Sequence, residues 1–89
     1  MKTAYKKSFA KDLKRHSRDQ KLLDMIKEVI LEVETAGRIT DIDNLKKLRV
    51  KGEYYRIRSG DYRIGLIIDG DTVTFVRALH RSEIYRYFP

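Results

Sequence analysis

The 89-residue chain has no cysteine and no tryptophan, one proline, five glycines and two histidines. Without cysteine there is no disulfide framework, no thiolate metal site and no cysteine nucleophile. Two histidines alone do not build a protein zinc site of the usual kind. The longest apolar run, Ile64 to Ile68, contains a glycine and falls far short of a membrane span. The opening Met1-Lys2-Thr3-Ala4-Tyr5-Lys6-Lys7 is charged but has no apolar stretch behind it, so it does not read as a secretion signal. Together these absences make a cytoplasmic protein the expectation. The only proline is the last residue, and no Gly/Ser-rich linker or internal repeat divides the chain. Residues 1–89 are therefore expected to form a single domain.

What the chain does have is positive charge. Twenty Lys/Arg oppose thirteen Asp/Glu, a formal net charge of +7. Residues 1–18 carry seven positive charges and one negative, and residues 46–63 carry seven and two. Between them, residues 19–45 carry three positive and seven negative charges, whereas residues 64–89 carry three of each. Charge serving only solubility has no need of two basic blocks around an acidic middle. The segregation favours a binding face for a polyanion or an acidic protein.

The pattern of apolar residues changes period part-way along the chain. Lys2 to Ser8 reads as a short strand. Ser8 is a candidate N-cap for a short helix with Phe9, Leu13 and His16 at helical spacing. Ser17-Arg18-Asp19-Gln20 reads as a capping box for a longer helix, whose stripe is Leu22, Ile26, Val29 and Val33, with Gly37 placed for a left-handed C-cap. Residues 38–52 are a polar connection in which Asp43–Leu48 suits one helical turn. Tyr54–Arg58, Tyr62–Ile68 and Thr72–His80 then alternate as strands, joined by turns at Ser59-Gly60 and Asp69-Gly70. The expected fold is α+β: an N-terminal strand and a helical hairpin packed on an antiparallel sheet of about four strands.

Two-residue loops at those turns would set Arg58 against Asp61, Arg56 against Arg63, Leu66 against Val73 and Ile64 against Phe75. One face then collects Tyr55, Ile57, Tyr62, Ile64, Leu66, Val73, Phe75 and Leu79, and packs on the helices. The other collects Arg56, Arg58, Arg63 and His80, with Val76 and Ala78. Arginines opposed across strands repel unless an anion lies between them, and phosphate is the obvious guest. The competing expectation is an exposed sheet on which the arginines pair with Asp61, Glu53 or Glu83. The closing aromatics, Tyr85, Tyr87 and Phe88, are expected to cap the core edge, with Tyr85 able to reach the basic face.

These residues also carry a resemblance. The order strand–helix–helix–three strands is joined by the runs Leu48-(Lys51-Gly52)-Tyr55-Arg56-Ile57-Arg58, Gly60-Asp61-Tyr62-Arg63-Ile64 and His80-Arg81-Ser82-Glu83-Ile84-Tyr85. Over about residues 3–88 the chain resembles the RelE/ParE superfamily of type II toxin–antitoxin toxins. The RelE branch implies a ribosome-dependent ribonuclease that cuts mRNA in the A site. Its reaction needs no metal or other cofactor: a ribose 2′-OH attacks its own 3′ phosphate. Arg63 matches the arginine that holds the scissile phosphate, and Arg56 and Arg58 match two basic positions on the preceding strand. Tyr85 matches a C-terminal tyrosine used for stacking or proton transfer. His80-Arg81 matches a pair near the reactive centre.

Some members carry lysines at the positions of Arg56 and Arg58. An arginine cannot act as a base there, which leaves His80 first and Tyr85 second for proton transfer. Lys6, Lys7, Lys11, Lys14, Lys46, Lys47, Lys51 and Arg81 are the expected contacts to RNA or the ribosome. The resemblance also implies an acidic antitoxin that wraps the helical hairpin and the sheet edge. The ParE branch, which shares the fold and inhibits DNA gyrase without a nuclease site, is the alternative.

Overall fold

A computed structural model describes all residues, Met1–Pro89. β1 (Lys2–Tyr5) leads into α1 (Lys7–Arg15) and α2 (Gln20–Thr35). A 3-10 turn at Ile39–Asp41 precedes β2 (Leu45–Lys47), β3 (Tyr54–Ser59), β4 (Tyr62–Asp69), β5 (Thr72–His80) and the short α3 (Ile84–Tyr87). The sheet has five strands in the order β1-β5-β4-β3-β2. β1 lies parallel to β5, and the other pairs are antiparallel. The expected architecture stands, with two additions. The N-terminal strand joins the sheet as its parallel edge, and Leu45–Lys47 is an edge strand where a helical turn was expected.

The helical layer follows from the apolar stripe of α2. Leu22, Ile26, Val29 and Val33 are buried against Ile57, Ile64, Leu66, Val73 and Phe75 of the sheet, with Phe9 of α1 completing the core. Three local signals play out differently from the sequence reading. The N-cap of α2 is Asp19, whose carboxylate accepts from the Leu22 N–H at 3.1 Å, so Ser17 is not the cap. Gly37 is not left-handed, because the helix already turns out at an extended Ala36. Ser8 does not cap α1; its hydroxyl donates instead to the Val76 carbonyl at 2.6 Å.

Both hairpin loops lie one residue later than expected, at Gly60-Asp61 and Gly70-Asp71, with Gly60 (φ 57°) and Gly70 (φ 61°) in the left-handed region. Every partner therefore slides by two, which keeps each side chain on its expected face. Arg58, not Arg56, stands directly opposite Arg63, and Arg56 stands opposite Gly65.

A β-bulge changes more. Leu66 pairs with Phe75, but Gly65 pairs with Arg77, so Val76 is an extra residue in β5. From there on the faces of β5 exchange. Ala78 and His80 turn to the helical side and Leu79 turns away from it, the reverse of the sequence reading. Leu79 then joins Leu48, Ile84 and Phe88 in a second small core on the far face of the sheet, flanked by Tyr54 and Val76. The chain end folds back over that face. Phe88 stands edge-on to Tyr54, with ring centroids 5.7 Å apart.

Candidate active site

Beside this second core the far face of the sheet is basic. Lys46 pairs with Arg56 across β2 and β3, and Arg58 pairs with Arg63 across β3 and β4, so all four side chains share one face. Backbone carbonyls position the guanidinium groups. Arg63 Nη1 donates to the carbonyls of Gly60 (2.9 Å) and Tyr62 (3.0 Å). Arg56 Nη1 donates to the Asn44 carbonyl at 3.0 Å, which also accepts from the Arg58 N–H at 3.1 Å. Asn44 has φ 61°, a conformation that asparagine tolerates better than most residues. A carbonyl fixes a guanidinium without cancelling its charge, so the cluster stays cationic. The Arg56 Nε atom is buried with no partner.

Two of the three carboxylates expected as partners are engaged elsewhere. Asp61 lies 3.8 Å from Arg81, and Glu53 lies 3.4 Å from Lys47. Glu83 forms no ion pair with the cluster. Arg56, Arg58 and Arg63 make no ion pair. The expectation of an exposed sheet on which the arginines pair with Asp61, Glu53 or Glu83 is thereby overturned for Arg56, Arg58 and Arg63. The Arg63 guanidinium is held below its usual range, first by burial and then by the charges of Arg56 and Arg58. Tyr85 opposes that shift and Arg81 adds to it, which places both within electrostatic reach of Arg63. An arginine so disfavoured still keeps its proton and gains from an anion. Arg58 is exposed, and Arg56 and Arg63 are half-buried.

The structure thus brings together Lys46, Arg56, Arg58, Arg63, Arg81 and Tyr85. Tyr85 rides on α3 with 63% of its surface exposed, held there by its buried neighbour Ile84. His80 is separated from this group. It pairs with Tyr62, stands edge-on to that ring at 5.6 Å, and Tyr62 in turn meets His16 edge-on at 5.7 Å. The His80 Nδ1 accepts from the Ser82 N–H at 3.2 Å and lies 2.8 Å from the Ser82 hydroxyl. Its expected place on the arginine face is therefore corrected by the bulge.

Lys47 also falls on the helical side, its ammonium 5.9 Å from the Tyr55 ring centroid. Lys6 precedes α1, Lys7, Lys11 and Lys14 are exposed on it, and Lys51 lies in the β2–β3 connection. Sequence reasoning missed Asn44, whose backbone anchors two arginines, and the buried Asp12. The signal for Asp12 was available: it is the only acid among residues 1–18.

Comparison with known proteins identifies the family. Residues 4–85 match the family described as ParE toxin of type II toxin–antitoxin system, parDE. The chain is 43% identical, over 93 aligned positions spanning all of both chains, to Toxin RelE3 of Methanocaldococcus jannaschii. Its fold is similar to the crystal structure of a RelB–RelE antitoxin–toxin complex from Methanococcus jannaschii: TM-score 0.71, 40% identity, 97% of this chain and 99% of that one. The YoeB dimer from Staphylococcus aureus has the same fold at 18% identity: TM-score 0.72, 90% of this chain and 95% of that one. A five-stranded sheet under a helical hairpin and these matches over nearly the whole chain place it in the RelE/ParE superfamily of type II toxin–antitoxin toxins.

Proposed function

We propose that this toxin is a ribosome-dependent endoribonuclease that cuts mRNA in the A site and so stops translation in the cytoplasm. The observation that carries the reading is the Arg58–Arg63 opposition, with Arg56 beside it and no carboxylate paired to any of the three. Such an arrangement is costly without an anion and favourable around a phosphodiester. In the reaction, a ribose 2′-oxygen attacks the adjacent phosphorus, the bond from phosphorus to the 5′-oxygen breaks, and a 2′,3′-cyclic phosphate and a 5′-hydroxyl result. The 2′-OH loses a proton and the 5′-oxygen gains one, so no net proton is consumed. Arg63, with Arg56 and Arg58, meets the extra negative charge on the phosphorane. Tyr85, carried on α3, has a transferable proton: it stacks on the base or donates that proton to the leaving 5′-oxygen, and the 2′-OH proton passes to water. Lys46 and Arg81 flank the path of the RNA backbone. Lys6, Lys7, Lys11, Lys14, Lys47 and Lys51 serve ribosome association at longer range. His80 acts from behind the sheet by holding the Ser82 turn.

A cognate antitoxin is the second partner of this proposal, as the RelB of the similar RelB–RelE complex suggests. Purified protein added to cell-free translation, followed by primer extension on the mRNA, tests the function. Cuts in A-site codons only when ribosomes are present are expected. Arg63→Ala should abolish them while leaving the melting temperature and antitoxin binding unchanged. Intact mRNA and unaffected translation would refute the proposal and direct attention to gyrase, through a supercoiling assay.

A further inference from the structure

Part of the edge of β5 is completed by side chains and not by a strand. β1 pairs with β5 only from Thr72 to Phe75, and its last backbone bond is from the Lys6 N–H to the Phe75 carbonyl. Beyond that point the edge of β5 has no strand partner, and there the bulge residue Val76 interrupts the pairing with β4. Side chains of α1 take over. The Ser8 hydroxyl donates to the Val76 carbonyl at 2.6 Å, and the Asp12 carboxylate accepts from the Ala78 N–H at 2.9 Å. Ser8 and Asp12 are one helical turn apart, so a single face of α1 meets both sides of the bulge.

Asp12 does more than satisfy one amide. It is only 1% exposed. It accepts from Arg77 Nε at 2.8 Å and from Nη2 at 3.1 Å, a two-point pairing, with Arg15 further off at 3.9 Å. Arg77 is itself mostly buried, and its charged form is favoured chiefly by the hydrogen bond to Asp12. Its outer side faces α3: the guanidinium lies 5.9 Å from the Tyr87 ring centroid, and Glu83 adds to its stabilisation. Tyr85 is carried on the same single turn of helix. An unbroken series of contacts therefore runs from Asp12 through Arg77 to Tyr87 on α3, the helix that also carries Tyr85.

We infer that Asp12 and Arg77 are a positioning pair, which fixes the bulge and through it sets α3 and Tyr85 against the arginine face. The inference rests on the nuclease reading for its consequence in activity, but not for its structural content. Without the pair, β5 is free to lose its extra residue, which would return Leu79 to the helical side and remove the platform on which α3 sits. Neither residue touches the RNA. Both act through the backbone of β5 and the docking of α3.

The test uses the full-length protein and two variants. Asp12→Asn keeps an acceptor for the Ala78 N–H and removes the charge that orients Arg77. Tyr87→Leu changes only a half-exposed ring at the far end of the series. NMR spectra report the Tyr85 ring and the Arg63 Nε–H, and single-turnover cleavage on preloaded ribosomes reports the chemistry. Both variants are expected to move the Tyr85 and Arg63 resonances while leaving those of β3 and α2 in place. Cleavage should slow about ten-fold or more with ribosome affinity unchanged. Resonances and cleavage rate at wild-type values in folded Asp12→Asn would overturn the inference. If Asp12→Asn does not fold, Arg77→Lys, which keeps the charge and loses the fork, decides by the same readouts. Should the wild type prove not to cut RNA, the nuclease proposal falls while the resonances still decide this one.

Discussion

Gly65→Ala acts on the arginine face of the sheet, where the chain end docks. Gly65 lies in β4 opposite Arg56 and Arg77, and the Phe88 ring covers it. A Cβ at this position would lie 2.8 Å from Phe88 Cγ and 2.9 Å from each Cδ, distances no real Cβ tolerates. The strand cannot move, because it is paired on both sides. The ring must leave. Overpacking of this kind costs about 1–3 kcal/mol, and expelling a buried phenylalanine costs about as much. Alanine recovers roughly 0.5–1 kcal/mol of backbone entropy relative to glycine in a strand. The net loss is about 1–2 kcal/mol, or roughly 5–15 °C in Tm for a domain of this size.

The loss should be local to the chain end. Carboxypeptidase should remove the segment after Ser82 faster than in wild type, and amide exchange at Ile84 and Phe88 should accelerate more than at Val33. Cleavage should fall as well, since Tyr85 leaves with α3. The decisive comparison is a double-mutant cycle. In a Phe88→Ala background the clash is gone, so Gly65→Ala should be neutral or slightly stabilising. If Gly65→Ala costs as much there as in wild type, the steric reasoning is wrong.

Three further outcomes follow from the site and the helical layer. Lys46→Ala and Arg58→Ala should each reduce the salt dependence of RNA binding, by about 0.7 in the slope of log K against log salt; unchanged slopes would remove both residues from the RNA path. His80→Gln should keep the shape of the wild-type pH–rate profile and cut within about three-fold of the wild-type rate, because the ring stands on the helical side of the sheet; a limb of the profile lost in the variant would restore His80 to proton transfer. The Glu32 carboxyl is raised above its ordinary range, by burial first and then by the Asp43 charge. A raised carboxyl favours the fold below its unfolded value and loses that contribution as pH rises through the folded one. Glu32→Gln should therefore stabilise the protein at pH 7, by less than about 1 kcal/mol for so accessible a group. That gain should vanish near about pH 3.5; a variant no more stable than wild type at pH 7 would contradict it.

Much of this molecule is written locally. The stripe Leu22, Ile26, Val29, Val33 specifies α2 because burial at helical spacing needs no other information. The alternating runs specify β3 and β4, and with them a face bearing Arg56, Arg58 and Arg63, since period-two alternation survives a two-residue slide in pairing. The two basic blocks around an acidic middle are likewise legible from the sequence alone.

Other features lay beyond that reach. Leu45–Lys47 became a strand because β3 offered it an edge, whatever its own turn-like composition. Gly37 and Ser17 carried correct capping chemistry at ends that the helix did not use. The bulge at Val76 has no local signature, being the point where β1 stops pairing and Ser8 and Asp12 of α1 complete the edge of β5. That one extra residue sent His80 to the helical side, brought Leu79 to the far face and gave Phe88 and α3 a place to dock. The sequence by itself determined the elements, the charge and the identity of the arginine face, because each depends on neighbours along the chain. Only the tertiary structure decided which side of the sheet His80 faces and what stands beside Arg63, because a bulge is fixed by hydrogen-bond partners more than sixty residues away.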